Sequence, residues 1–131
     1  MLVEFALILV PVLLMSVGLV ELGRFAWNRE ALSDIAICAA RCLAVQSPDC
    51  RSGGEYDAAA AEAMILSEAR QRWIDVTELE VVLDRDAQCG DLPGFSRVEL
   101  RYRYRPRFTL PAVAEALGGD LEVSACFPNQ D

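Results

Sequence analysis

Sixteen consecutive residues, Phe5 to Val20, carry no charge, and one acid, Glu4, stands directly before them. A helix needs about 20 apolar residues to cross a bilayer. Leu22, Gly23, Phe25, Ala26 and Trp27 carry the apolar character past Glu21 and Arg24. Those two charges stand three apart, where opposite charges pair on one side of a helix. Arg24 can snorkel to headgroups and Trp27 suits an interface. A cleavable signal peptide calls for a basic start and a small-residue cleavage site; no basic residue precedes this core, and "VELGRFAWN" lacks the cleavage pattern. The segment therefore reads as a membrane-inserted helix. Pro11 and Gly18 interrupt it, which lipid-embedded helices tolerate. A carboxylate at mid-bilayer costs of order 2–3 kcal/mol, whereas Glu4 near a helix amino terminus gains from the dipole.

The other bounds are quickly drawn. At 131 residues the chain suits a single folded head beside this segment. Its net charge of -8 argues against nucleic acid, which demands clustered basic residues. Five cysteines in so short a chain point to an oxidising compartment. Histidine is absent, which removes the commonest general base and metal ligand. No phosphate-cradling glycine loop occurs. The reading is therefore a non-catalytic protein with neither cofactor nor metal.

Beyond the span the helical period continues. Leu32, Ile35, Ala36, Ala39 and Leu43 recur at helical spacing. One rod from about residue 3 to 46 would reach on the order of 60 Å. "SPDCRSGGE" breaks it, and Ser52 with Glu55 matches a capping box for a second helix over 55–75. That helix carries a stripe of Ala61, Ile65, Ala69 and Trp73. The period then changes to two over 79–84, 97–105 and 121–127, which predicts strands with one covered face. Between the last two strands, Thr109, Pro111 and Gly118 can cap, start and end a short helix. The fold class is α+β: a long amino-terminal helix, membrane-spanning in its first half, then a second helix and a small antiparallel sheet.

Three further constellations need weighing. In "RYRYRPR" the alternation sends tyrosines inward and arginines outward, toward Glu80, Asp84 and Glu122 on neighbouring strands. A salt-bridged sheet face explains it better than a single-stranded nucleic-acid platform, with a subunit contact as runner-up. "DRDAQCGD" gathers Asp84, Asp86 and Asp91 but lacks calcium-loop spacing and a distal glutamate, so it reads as a solvated turn. Spacing leaves the cysteine connectivity open. The expected pairs are Cys42–Cys50 and Cys89–Cys126, with Cys38 left over; a metal on Cys38 and Cys42 is disfavoured without histidine.

The opening "VEFALILVPVLLMSVGLVELGR" closely resembles that of TadE-like proteins, minor pilins of Tad (Flp-type) pilus systems related to type IV pili. Val3, Glu4, Phe5 and Ala6, then Pro11, Leu13 and Leu14, then Glu21, Gly23 and Arg24 carry the resemblance. It implies a prepilin whose short basic leader a prepilin peptidase removes. The implied chain is a single-pass protein of the bacterial inner membrane with a periplasmic head. It would join, prime or cap an extracellular pilus. Its partners would be major and minor pilin subunits, the assembly machinery and the membrane. Glu4, Phe5, Pro11, Glu21 and Arg24 become the assembly residues. The family glutamate stands fifth in the mature chain and here stands fourth. The domains would be a transmembrane and assembly helix over 1–24 and a periplasmic α+β head over 25–131. A membrane-tethered adaptor or adhesin, or a pseudopilin of type II secretion, is the alternative.

Overall fold

A computed structural model of the chain describes residues 1–108 and 111–130, the Val113 side chain excepted. A single helix, α1 (Leu2–Val45), runs through the apolar segment and on into the head. It ends at Gln46, which adopts the left-handed conformation and returns its N–H to the Cys42 carbonyl, two residues before Pro48. After a short 3-10 turn (Pro48–Cys50), β1 (Arg51–Ser52) and β2 (Glu55–Tyr56) form a minimal hairpin. Then follow α2 (Ala58–Gln71), β3 (Leu79–Cys89), β4 (Leu92–Tyr104), α3 (Pro111–Leu117) and β5 (Gly119–Pro128). The three long strands form one antiparallel sheet in the order β3-β4-β5. The architecture is thus α+β with a pilin-like long helix.

The core lies between the second half of α1, the inner sheet face and α2. Leu32, Ile35, Ala36, Ala39 and Leu43, the residues that set the helical period, are all buried. Alanines among them let neighbouring backbones approach α1 closely, so that it touches β4, β5 and α2. Val98, Leu100, Tyr102 and Tyr104 enter from β4, and Ala61, Ile65 and Ala69 from α2. Fully burying a leucine such as Leu32 or Leu43 stabilises by about 1.5–3 kcal/mol.

Several local expectations need correcting. Helix α2 is shorter than residues 55–75, and Asp57 caps it by accepting a hydrogen bond from the Ala59 N–H. Ser52 and Glu55 form no capping box; they face each other across the hairpin, because Gly53 and Gly54 supply a positive-φ turn. Trp73 is not part of the apolar stripe but is 93% exposed just past the end of α2. The acids Asp84 and Asp86 lie on β3, which runs five residues beyond the expected strand end. On that extension Arg85 stacks over the Tyr56 ring at 5.5 Å and Ala87 is buried, so no apolar alternation marked it. Helix α3 begins at Pro111, while the expected cap at Thr109 lies outside the described residues. Gly118 follows it and donates its N–H to the Ala114 carbonyl at 2.8 Å, where a Cβ would collide with that oxygen.

On the outer sheet face Arg101 lies in register between Glu80 and Glu122 and binds Glu99 at 2.7 Å. Arg103 faces Asp120 at 3.7 Å and Arg105 reaches Glu78 at 2.8 Å. Disulfides join Cys42 to Cys50 and Cys89 to Cys126, and Cys38 is free and exposed. The tail is clipped down by the Gln130 N–H to the Ala44 carbonyl, and by the Asn129 amide to the Arg85 carbonyl. The first bond satisfies one of the carbonyls that a helix end leaves unpaired.

Replacing Leu43 by alanine is expected to lower the unfolding free energy by about 3 kcal/mol, by lost transfer energy and a cavity. Ile37→Ala, on the exposed face of the same helix, should change it by less than about 0.5 kcal/mol. Urea unfolding of the detergent-solubilised chain, followed by circular dichroism, measures both.

Candidate functional site

The exposed half of α1 and the point where it enters the head form the candidate site. Leu2, Val3, Phe5, Leu7, Ile8, Val10, Leu13, Leu14 and Leu19 are all exposed. No part of the most apolar 18-residue window of the helix, with mean hydropathy 2.5, is buried in the protein. At about 1.5 Å per residue, positions 2–20 cover about 28 Å, close to the roughly 30 Å of a hydrocarbon core. This one long apolar helix has the character of a membrane anchor. Glu4 and Phe5 lie on its first exposed turns, and Pro11 lies inside the helix without ending it.

The bare segment stops at Glu21, whose side chain is 0% exposed. An ionised carboxylate removed from water costs several kcal/mol unless charges and donors surround it. Here both oxygens are engaged. Oε1 accepts from Arg24 Nη1 at 3.0 Å, one helical turn on, and from the Arg107 backbone N–H at 3.1 Å. Oε2 accepts from the Tyr104 hydroxyl at 2.9 Å. Phe25 completes the pocket, meeting the Tyr104 ring edge-to-face at 5.3 Å. The end of β4 and the segment after it are thereby pinned to the helical turn at which α1 becomes bare.

The i, i+3 spacing of Glu21 and Arg24 is matched by an ion pair. Tyr104 and Arg107 were not recognised as its partners from the sequence. A signal for the first was present: a tyrosine on the inward face of a strand must bring its hydroxyl to an acceptor. Arg107 contributes through its backbone, which no residue type announces. Among the described residues Glu4, Phe5 and Pro11 make no such contacts with the head; they lie along the free rod, Glu4 about 25 Å from Glu21 at about 1.5 Å per residue.

Burial, and then the hydrogen bond that it donates to Glu21, pushes the Tyr104 phenol up to about 12. An unfolded tyrosine titrates near pH 10. The folded state therefore holds this proton more tightly, and the associated stability is fully present below about pH 10 and lost as pH rises toward about 12. Tyr104→Phe is expected to cost about 1.5–3 kcal/mol at neutral pH, as a hydrogen bond to a charged group is removed. It should also flatten, but not abolish, the alkaline fall in stability, since burial raises Tyr102 and Tyr56 as well. Urea unfolding between neutral pH and pH 12 checks both outcomes.

The first 41 residues match the family model described as TadE-like protein. No curated protein and no solved structure matches the chain. The matched stretch holds the whole bare span, the Glu21–Arg24 pair and most of the buried half of α1. Over these 41 residues the chain is similar to TadE-like proteins.

Proposed function

We propose that the chain is a minor pilin-like subunit of a Tad pilus system, anchored in the bacterial inner membrane with its head in the periplasm. Its task is to join, prime or cap a pilus, without catalysis. The observation that carries this reading is the division of α1: one continuous helix is bare over its apolar first half and buried in a head over its second. An apolar rod with no internal partner can exchange lipid for neighbouring rods, because lipid tails and packed side chains are similarly apolar. The TadE-like match over the same residues supports a pilus context.

Within this reading Glu4 and Phe5 lead the rod into the assembly, and Pro11 allows it to bend. Glu4 gains from the helix dipole before assembly and can pair with a cationic group of a neighbouring subunit afterwards. Glu21 and Arg24 hold the head at a fixed height on the rod. Other pilin subunits, the assembly machinery and a prepilin peptidase are the partners of this scheme. The adaptor and secretion-pseudopilin alternatives share the anchor and differ in where the head ends up.

Glu4→Leu is expected to leave membrane insertion intact, with the variant co-sedimenting with membranes as the parent does. Its amount in sheared, purified pili should fall to background. Undiminished incorporation would remove the assembly role of Glu4. Absence of the parent chain itself from sheared pili would favour the tethered adaptor.

A further inference from the structure

In a chain of net charge -8, one end of the head gathers five of the twelve basic residues around one cleft. Arg24, Arg72, Arg103, Arg105 and Arg107 line it, against Asp75 and Glu78 as the acids in its wall, and its volume is about 640 Å³. The cleft opens between α1, the end of α2 and the end of β4. The Glu21 node sets its depth: Tyr104 and Arg107 bind the very turn where α1 emerges from its bare segment. If the bare segment fills the hydrocarbon, the guanidinium groups of Arg105 and Arg107 stand at headgroup level.

Two tryptophans flank the same cleft. Trp27 is 64% exposed on α1, and Trp73 is 93% exposed after α2. Trp73 also has φ of 62°, a left-handed conformation that costs a bulky residue energy and that glycine adopts freely. Packing does not account for an aromatic ring held bare at that position. Exposed tryptophans beside arginines are characteristic of a membrane–water interface. Arg105 offers only a surface ion pair, to Glu78, of the kind that is easily exchanged. Among the described residues no ion pair engages the Arg107 guanidinium.

We infer that this cleft is a headgroup site for anionic phospholipid, in which Arg105 and Arg107 take the lipid phosphodiester, while Arg24, Arg72 and Arg103 stay with Glu21, Asp34 and Asp120, and Trp73 and Trp27 sit in the headgroup layer. The inference rests on the membrane-anchored reading. Before assembly the head would then lie against the bilayer from which its rod emerges. An acidic face of a neighbouring subunit could also satisfy arginines. The position at the lipid end of the head and the aromatic pair favour the lipid.

The test uses the full chain with Trp27→Phe, leaving Trp73 as the single tryptophan, reconstituted in phosphatidylcholine vesicles with or without phosphatidylglycerol. Flotation is read on the same samples. With phosphatidylglycerol, Trp73 should become protected from iodide quenching and be quenched by headgroup-labelled lipid. Arg105→Gln and Arg107→Gln should each lower the ratio of protected to exposed Trp73 on the order of fivefold. The Arg107 variant keeps the backbone N–H that binds Glu21, so an unchanged melting temperature shows that its fold is intact. In the parent chain, Trp73→Gly should leave the melting temperature unchanged or raised; a fall would reveal a packing role and overturn the assignment. A chain that floats while Trp73 is quenched equally with and without phosphatidylglycerol also overturns it. So does equal protection by inorganic phosphate in lipid-free micelles, or protection that follows protein density instead of lipid charge. Failure to float would instead remove the anchor reading, and this site with it.

Discussion

One carboxylate, that of Glu21, is the point on which the geometry turns. It lies on the helix at the boundary between bare and covered surface, and it is fully enclosed. Left unpaired there it would be strongly destabilising. It is made tolerable by a cation from its own helix, a hydroxyl from β4 and amides from the chain after β4. Because these donors come from opposite ends of the sequence, satisfying the charge fixes the sheet on the helix in both height and rotation. A hydrophobic stripe alone would specify this less sharply, since a row of alanines and leucines offers similar contacts one turn up or down.

The two halves of α1 solve different problems with different side chains. The first half presents large aliphatic residues all round, as a rod in lipid must. The second half narrows to Ala31, Ala36, Ala39, Ala40 and Ala44, with Leu32, Ile35 and Leu43 between them, and so admits a sheet and a second helix at close range. The disulfides close the head at places remote from the node. One ties the end of α1 to the following turn, and the other ties β5 to the hairpin end of β3. The end of the head from which the bare rod emerges thus relies on the charge at Glu21 and on aromatic packing, while the far end is held covalently.

Much of this was legible in the chain because it followed from periodicity. The long rod, the burial of Leu32, Ile35 and Leu43, and the inward tyrosines and outward arginines of β4 all came from spacing alone. What escaped was whatever broke the period or depended on backbone. The extension of β3 was hidden because Arg85 takes an inward position, and that of β4 because Pro93 and Gly94 look like punctuation. Trp73 fitted a helical stripe by count, but the helix ends before it and its backbone turns left-handed. The pairing at Glu21 was out of reach because an inward Tyr104 announces the need for an acceptor but not one more than eighty residues away, and another of the donors is a peptide N–H.

On the proposed reading, the way Glu21 is satisfied also bears on how the chain would leave a membrane. A charge that relied on lipid headgroups or water would need a new partner for every change of surroundings. This one finds partners inside the protein, so moving the rod out of lipid would leave Glu21 itself paired. On that reading the head would travel with the rod as one body, and the energetic difference between the two environments would fall on the bare apolar surface, on Glu4 and on the headgroup contacts of Arg105 and Arg107. Apolar surface is indifferent between lipid and other rods; a lone carboxylate is not. On the proposed reading, therefore, the apolar surface would supply little selectivity for an assembled over a dispersed state, and the acid at the leading end would supply it.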